Sequence, residues 1–180
     1  MSLCFEIMNK DHVKLAWSFS VNPEKCDSPD VFKNHLISAY NDMCLGNSVT
    51  HVLIDEKGLN KIIAGFITLR ASAYLTQYPG EENFAASSAI EIQCLAVDKN
   101  YERRGIGTDL VAKAIMIAYE LCKKYIGVNY IVLRSNKSAV SFYTRKDIGF
   151  KKLSAIGKLA SEKWNEDCVP LIVKIHPENI

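Results

Sequence analysis

The sequence carries little excess charge of either sign. Its 22 lysines and arginines stand against 20 acidic residues, which leaves a formal net charge of +2. Because nucleic-acid surfaces usually give a strongly basic domain or stripe, this balance does not by itself indicate nucleic-acid binding. A local basic patch is still possible, since Arg103, Arg104, Lys113, Lys123 and Lys124 lie close in sequence. A solvated helix face beside one anion site is the simpler interpretation of that patch.

Cysteine pairs with the spacing of zinc ligands are missing. The six cysteines stand at positions 4, 26, 44, 94, 122 and 168, without a CxxC pair or a histidine at finger spacing, so we expect no metal. The opening segment MSLCFEIMNKDH lacks the basic start and apolar run of a signal peptide. The apolar stretches are far too short to span a membrane. These absences favour a reduced, cytoplasmic protein without a membrane partner.

The chain has no internal repeat, and its length fits one domain over residues 1–180. The hydrophobic spacing predicts a mixed α/β (α+β) sheet with helices on both faces. Within it, the strand–helix–strand unit at 89–134 should be parallel and right-handed. In chain order we predict a strand at 3–8, a helix from an Asp11 cap to about Phe19, a helix from Pro29 to Gly46, strands at 49–55 and 61–72, a mobile loop at 73–88, a strand at 89–97, a helix at 107–126, a strand at 129–134, a helix at about 137–146, and strands at 149–154 and 168–175.

The most informative segment is the turn Glu102-Arg103-Arg104-Gly105-Ile106-Gly107, between the strand at 89–97 and the long helix that follows. A glycine turn that leads into a helix N-terminus is suited to phosphate, because free backbone N–H groups and the positive end of the helix dipole converge there. A lone G-x-G is weak evidence, so its context decides.

With that context, the sequence resembles the GNAT superfamily of acyl-CoA N-acyltransferases. The family's signature turn is Gln/Arg-x-x-Gly-x-Gly/Ala, and here both glycines match while Glu102 departs from the first position. Further matches to the family's later pattern follow downstream, at Asn136, Ala139, Phe142-Tyr143 and Gly149-Phe150. The resemblance covers nearly the whole chain and implies a central, mostly antiparallel sheet with one parallel strand–helix–strand unit.

The resemblance also implies acetyl-CoA as co-substrate. The backbone amides of the turn suit its pyrophosphate, and Arg103 or Arg104 can add a charge-assisted contact. The pantetheine amides could pair with an open strand edge, which the resemblance places at Leu95 and Val97. Asn136 resembles the family's cofactor-binding asparagine, although a plain N-cap is the alternative. The predicted cofactor-binding residues are Leu95, Val97, Arg103, Arg104, Gly105, Ile106, Gly107, Thr108, Asn136 and Tyr143.

Two residues are candidates for catalysis. An amine attacks a thioester only when it is neutral, and Glu91 stands where a GNAT base would take the proton, directly or through water. A strand-end glutamate paired with a lysine is the alternative. Tyr143 could donate a proton to the leaving thiolate, as the family's tyrosine acid does. Its alternative is a helix tyrosine that packs against the ligand without chemistry.

We therefore expect an N-acetyltransferase that moves an acetyl group from acetyl-CoA to a primary amine on a small molecule, a peptide N-terminus or a lysine. One alternative is a GNAT toxin that acetylates aminoacyl-tRNA, to which the opening helices and the Leu-Ala-Val-Asp strand end are loosely similar. Another is a module that binds acyl-CoA without turnover. A homodimer is possible, with a contribution from Trp164 in the 160–168 loop.

Overall fold

The computed structural model describes residues 3–26, 28–57, 60–160 and 167–175. They fall into two compact units. The first contains the residues up to Arg70 together with Gln93–Val111, and the second contains Ala71–Ile92 and the residues from Ala112 onward. Trp164, which we expected at a dimer contact, lies outside the described residues.

The elements follow the predicted order closely. They are β1 (Leu3–Ile7), α1 (Lys10–Ala16), α2 (Pro29–Cys44), β2 (Val49–Lys57), β3 (Asn60–Thr76), β4 (Ala85–Val97), α3 (Ile106–Lys124), β5 (Tyr130–Ser135), α4 (Val140–Tyr143), β6 (Lys151–Lys152), β7 (Gly157–Leu159) and β8 (Val169–Lys174). Short 3₁₀ turns occupy Pro23–Lys25, Lys99–Tyr101 and Lys137–Ala139.

In the first unit the strands lie in the order β1-β2-β3-β4, with β1 and β3 both antiparallel to β2. One sheet face packs on α1 and α2 through a buried cluster that includes Leu36, Val52 and Phe66. Phe19 meets Phe66 edge to face, with ring centroids 5.3 Å apart. Burying this apolar surface is the main term that stabilises the unit.

The opposite face of the first unit takes the start of α3. A Cβ placed on Gly65 of β3 would lie 3.1 Å from the Ala96 carbonyl oxygen, the Ile106 Cγ2 and the Leu110 Cδ1. A glycine at this position therefore lets the first turns of α3 lie directly on the sheet. Helices on both faces, as predicted, are confirmed for this unit.

In the second unit, residues Ala89–Ile92 of β4 pair in parallel with Tyr130–Leu133 of β5. β8 then pairs antiparallel with both β5 and β6, and β7 pairs antiparallel with residues 74–76 of β3. The predicted fold class is confirmed: the sheet is mixed and largely antiparallel, with α3 joining the parallel pair.

Several predicted boundaries were wrong. The cap of α1 is Asn9, whose side chain accepts from the amides of Asp11 and His12, so the helix starts earlier than an Asp11 cap implies. Only the middle of the predicted mobile loop at 73–88 is without strand structure, because β3 continues to Thr76 and β4 begins at Ala85. The predicted helix at 137–146 is a 3₁₀ turn followed by four residues of α4, and β7 was not predicted.

Within the described part of the chain, none of the helices is both long enough and apolar enough to cross a membrane.

We predict that Gly65→Val lowers the free energy of unfolding by about 2 kcal/mol, because overpacking a close contact forces the neighbours apart. Gly127→Val is the matched control, since a Cβ on Gly127 meets no atom within 4 Å, and it should stay within about 0.5 kcal/mol of the wild type. Chemical denaturation of both variants measures the difference. Equal stabilities would contradict the close approach of α3 to β3.

Candidate functional site

The last residues of β4 turn one face to the core and the other away from it. Cys94 and Ala96 are buried in the cluster with α1 and α2, whereas Leu95 and Val97 are half-buried. Burial also raises the pKa of the Cys94 thiol, which keeps this thiol protonated. The ladder with β5 ends at Ile92, and β4 continues to Val97. The predicted edge at Leu95 and Val97 therefore lies beyond the part of β4 that pairs with β5.

Asp98 fixes the chain where β4 ends. Its carboxylate is 3% exposed and accepts three hydrogen bonds, from the Ser20 amide at 3.0 Å and from the backbone and side-chain N–H groups of Asn100 at 2.9 and 3.0 Å. The Asp98 amide donates to the Ala64 carbonyl oxygen at 2.9 Å. A buried carboxylate held by several N–H groups is well satisfied, so the backbone at this point is fixed.

A second buried acid holds the next residues. The Tyr101 hydroxyl donates to Asp55 Oδ2 at 2.8 Å, and the two residues are 3% and 0% exposed. Burial, together with the hydrogen bond and the negative charge of Asp55, raises the pKa of Tyr101 to about 12. This contact ties the start of the turn to β2 from inside the unit.

The glycine turn itself uses the left-handed backbone region twice. Arg103 has φ +59° and Gly105 has φ +82°. A left-handed conformation costs an ordinary residue about 1–2 kcal/mol, so Arg103 is a strained position that the surrounding contacts maintain. Turns of this kind direct successive N–H groups to one side, which favours anions.

The amides at the start of α3 divide into two groups. Those of Thr108 and Asp109 donate to the Gly105 carbonyl oxygen, at 2.9 and 3.1 Å. Helix geometry leaves the amides of Gly105, Ile106 and Gly107 directed out of the N-terminus, before the first completed turn. These three amides are therefore better placed than that of Thr108 to receive a phosphate group.

The two arginines of the turn differ in their surroundings. The Arg104 guanidinium lies over the Tyr101 ring, 5.1 Å from its centroid, and lines a cleft of about 1000 Å³ with Glu6, His12 and Lys61. Arg103 is exposed, and its side chain makes no ion pair or hydrogen bond within the described ranges. Arg103 is thus the more available of the two for a charge-assisted contact.

Glu102, which departs from the family pattern, is paired with Lys25 of the turn between α1 and α2. Their side chains are 23% and 51% exposed. The pairing holds the carboxylate on the side of Lys25 and balances its charge. This contact was not predicted, because no sequence pattern indicates that these distant positions meet.

The catalytic candidates belong to the second unit. Glu91 is 2% exposed and stands opposite Val132 in the parallel ladder of β4 and β5. A carboxylate this deeply buried needs a partner or a local polar environment, and Glu91 does have an interaction partner.

Tyr143 and Asn136 also lie in the second unit. Tyr143 is 7% exposed and meets Phe142 and Phe150 edge to face, with centroids 4.9 and 5.8 Å away. Asn136 precedes the 3₁₀ turn Lys137–Ala139 without capping it through its side chain. Its Oδ1 instead accepts from the Cys168 thiol at 3.7 Å. Asn136 therefore occupies the N-cap position of this turn, but its side chain forms no capping hydrogen bond.

The sequence analysis did not identify three residues that hold the turn in place through hydrogen bonds or an ion pair. They are Asp55, Asp98 and Lys25. The available signal was an aspartate at the carboxyl end of two predicted strands: Asp55 ends the strand at 49–55, and Asp98 directly follows the strand at 89–97. Among the described residues, no group of three or more His, Cys, Asp and Glu side chains could hold a metal ion.

We predict that Tyr101→Phe lowers the free energy of unfolding at neutral pH by about 1–3 kcal/mol, because the buried Asp55 carboxylate loses a donor. Since the folded-state pKa of Tyr101 lies above the unfolded value of 10, its contribution is complete below pH 10 and is lost as the pH rises towards 12. The gap between wild type and variant should therefore narrow over that range.

Denaturant unfolding at several pH values measures this gap. Tyr125→Phe is the control, since Tyr125 is 72% exposed. A gap that stays constant up to pH 12 would contradict the proposed titration of Tyr101.

Comparison with known proteins agrees with this geometry. The model of the acetyltransferase (GNAT) family matches residues 12–150. Among solved structures, a tyrosine-to-phenylalanine mutant of the toxin AtaT superposes with a TM-score of 0.75 at 17% identity, covering 97% of this chain and 91% of that one. A similar mutant of KacT gives a TM-score of 0.74 at 16% identity, covering 97% and 96%.

AtaT complexed with acetyl-methionyl-tRNAfMet gives a TM-score of 0.73 at 18% identity, covering 96% of this chain and 95% of that one. At these identities the structural matches establish the fold, and the family match covers well over half of the sequence. The chain belongs to the acetyltransferase (GNAT) family and is an acyltransferase that uses acetyl-CoA.

Proposed function

We propose that this protein, as one catalytic domain over residues 1–180, transfers an acetyl group from acetyl-CoA to a primary amine by direct attack in a ternary complex. The observation that carries the proposal is the turn at residues 102–108. It combines a left-handed glycine, a helix N-terminus and an available arginine in a chain of the GNAT family. Each of these features favours a bound diphosphate.

In this proposal the coenzyme lies along the first unit. The amides of Gly105, Ile106 and Gly107 hold the diphosphate, with Arg103 as the preferred charged contact. Thr108 contributes through its hydroxyl group, because its amide donates to Gly105. The pantetheine arm pairs with the main chain at Leu95 and Val97, where β4 extends past its ladder with β5. Extended amides along a strand edge form the same hydrogen bonds as an added strand.

The chemistry needs a neutral amine and a good leaving group. The amine nitrogen attacks the thioester carbon, and Glu91 takes the proton from that nitrogen, directly or through a water molecule. The carbon–sulfur bond then breaks, and the Tyr143 hydroxyl donates its proton to the departing thiolate. Asn136 contributes to cofactor binding through its side-chain amide. The burial of Glu91 and Tyr143 supports these roles, since polar side chains inside a fold generally have a specific task.

We predict that Glu91→Gln and Tyr143→Phe each lower kcat for acetyl transfer by about 10²-fold or more, because each removes a proton-transfer group. The Kd for acetyl-CoA should change little. Glu120→Gln and Tyr125→Phe repeat the same chemical changes at exposed positions and should keep full activity. Transfer is measured with labelled acetyl-CoA and a pooled panel of amines, and binding by calorimetry.

Full activity in both site variants would remove the assigned roles. Tight binding of acetyl-CoA by the wild type, without transfer to any amine in the panel, would select the non-catalytic binding module instead.

The structural neighbours favour a second, narrower candidate for the acceptor. Solved structures with a similar fold include AtaT complexed with acetyl-methionyl-tRNAfMet. We infer that the α-amino group of an aminoacyl-tRNA is a candidate acceptor, even though the net charge of +2 is small. Lys113 and Lys123, which both lie on α3, could then contact the backbone phosphates.

We predict that the protein acetylates charged tRNA and that its KM for tRNA rises steeply with salt, because phosphate contacts release counterions. Free amino acids and peptides give the comparison, since their KM should respond only weakly to salt. Transfer to small amines together with no transfer to charged tRNA would exclude this acceptor. Detection of the acetylated product by mass spectrometry shows whether charged tRNA or a small amine is the acceptor.

We also propose a cytoplasmic location. All six cysteines are free thiols, which suits a reducing compartment. A homodimer remains a prediction from the sequence.

A further inference from the structure

The turn that would bind the diphosphate begins with a carboxylate. Glu102 stands where the family pattern has Gln or Arg, and an unpaired carboxylate near a diphosphate would weaken binding by repulsion. The repulsion would not be fully screened, because the Debye length at physiological salt is about 8 Å. The structure shows how this chain deals with the charge: Lys25 forms an ion pair with Glu102.

Lys25 is held in place by its own segment. The amide of Lys25 donates to the Asn22 carbonyl oxygen at 3.1 Å, and the Asn22 side chain accepts from the Glu24 amide at 3.0 Å. These bonds close the 3₁₀ turn Pro23–Lys25. The lysine therefore approaches Glu102 from a folded turn.

The same segment is bonded to the base of the glycine turn. The Ser20 amide donates to Asp98 at 3.0 Å, and the Lys99 amide donates to the Ser20 carbonyl oxygen at 2.8 Å. One amide–carboxylate hydrogen bond, one backbone–backbone hydrogen bond and one ion pair thus join residues 20–25 to residues 98–102. The position of Lys25 relative to the turn follows from this connection, which lies wholly within the first unit.

We propose that Lys25 is a cofactor-positioning residue: from the connection between α1 and α2, it neutralises the carboxylate that the signature turn carries at its first position. The inference rests on the proposed binding of the coenzyme A diphosphate at residues 102–108. It assigns to Lys25 and Glu102 together the role that one residue has in the family pattern.

Substitutions of the two members of this ion pair should change the Kd for acetyl-CoA in opposite directions. Lys25→Met leaves Glu102 uncompensated and should raise the Kd for acetyl-CoA about fivefold, the upper range for an exposed ion pair. Glu102→Gln removes the repulsion and should lower the Kd by up to about fivefold. The double variant should return to within about twofold of the wild type.

The experiment measures the Kd for acetyl-CoA by calorimetry at low and physiological salt for these three variants. Lys14→Met serves as a control with the same change of net charge at an exposed position of α1. S-acetyl-pantetheine, which lacks the diphosphate, serves as an alternative donor, and Lys25→Met should leave its kcat/KM unchanged.

The outcomes separate this inference from the proposed function. If the wild type binds acetyl-CoA and Gly105→Val abolishes binding while Lys25→Met has no effect, the inference is wrong and the proposed cofactor site stands. If the double variant binds as weakly as Lys25→Met, Lys25 only holds the local fold, and the inference is again wrong. If the wild type does not bind acetyl-CoA, both proposals fail. Rescue in the double variant, with no effect on the pantetheine donor, supports the inference.

Discussion

The hydrogen bonds of Asp98 are the interaction on which the candidate cofactor site depends. This buried carboxylate stops β4, joins the Ser20 segment to it and starts the 3₁₀ turn Lys99–Tyr101. The residues that follow can then enter the left-handed conformations at Arg103 and Gly105. Without a fixed base, a strained turn would relax, because local strain persists only where the surroundings determine the backbone.

The site in the first unit is built mainly from the main chain. Amides at a helix start have a fixed direction and lose no side-chain entropy when they bind an anion. The charged side chains around the turn adjust this site: Arg103 is available, Arg104 stacks on Tyr101, and Lys25 balances Glu102. A departure at one side-chain position is therefore compatible with the same ligand.

The sequence predicted the parts of the fold that have a local signal. The helices beginning at Pro29 and Ile106 follow from apolar spacing and glycine or proline punctuation, and the β4–α3–β5 unit follows from their order. The extended ends of β3 and β4 were missed, because residues 73–88 are rich in polar and turn-forming types, and there pairing with other strands overrides propensity. The α1 cap was placed at Asp11 because both Asn9 and Asp11 are good capping residues.

The candidate site likewise contains residues that a local sequence pattern predicts and residues that only long-range contacts bring together. Gly105 and Gly107 could be identified from the sequence because the turn has a pattern of its own. Asp55 meets Tyr101, and Lys25 meets Glu102, across long stretches of chain. No local pattern encodes such contacts, because they exist only once the strands and the α1–α2 connection have been assembled.

The ion pair between Lys25 and Glu102 has a consequence for how members of this family are recognised. A sequence signature of six consecutive residues scores an acidic residue at the first position as a mismatch. In this chain the compensating cation is encoded far upstream, so the physical motif is discontinuous. Searches that score the two loops jointly would retain proteins that a contiguous pattern discards.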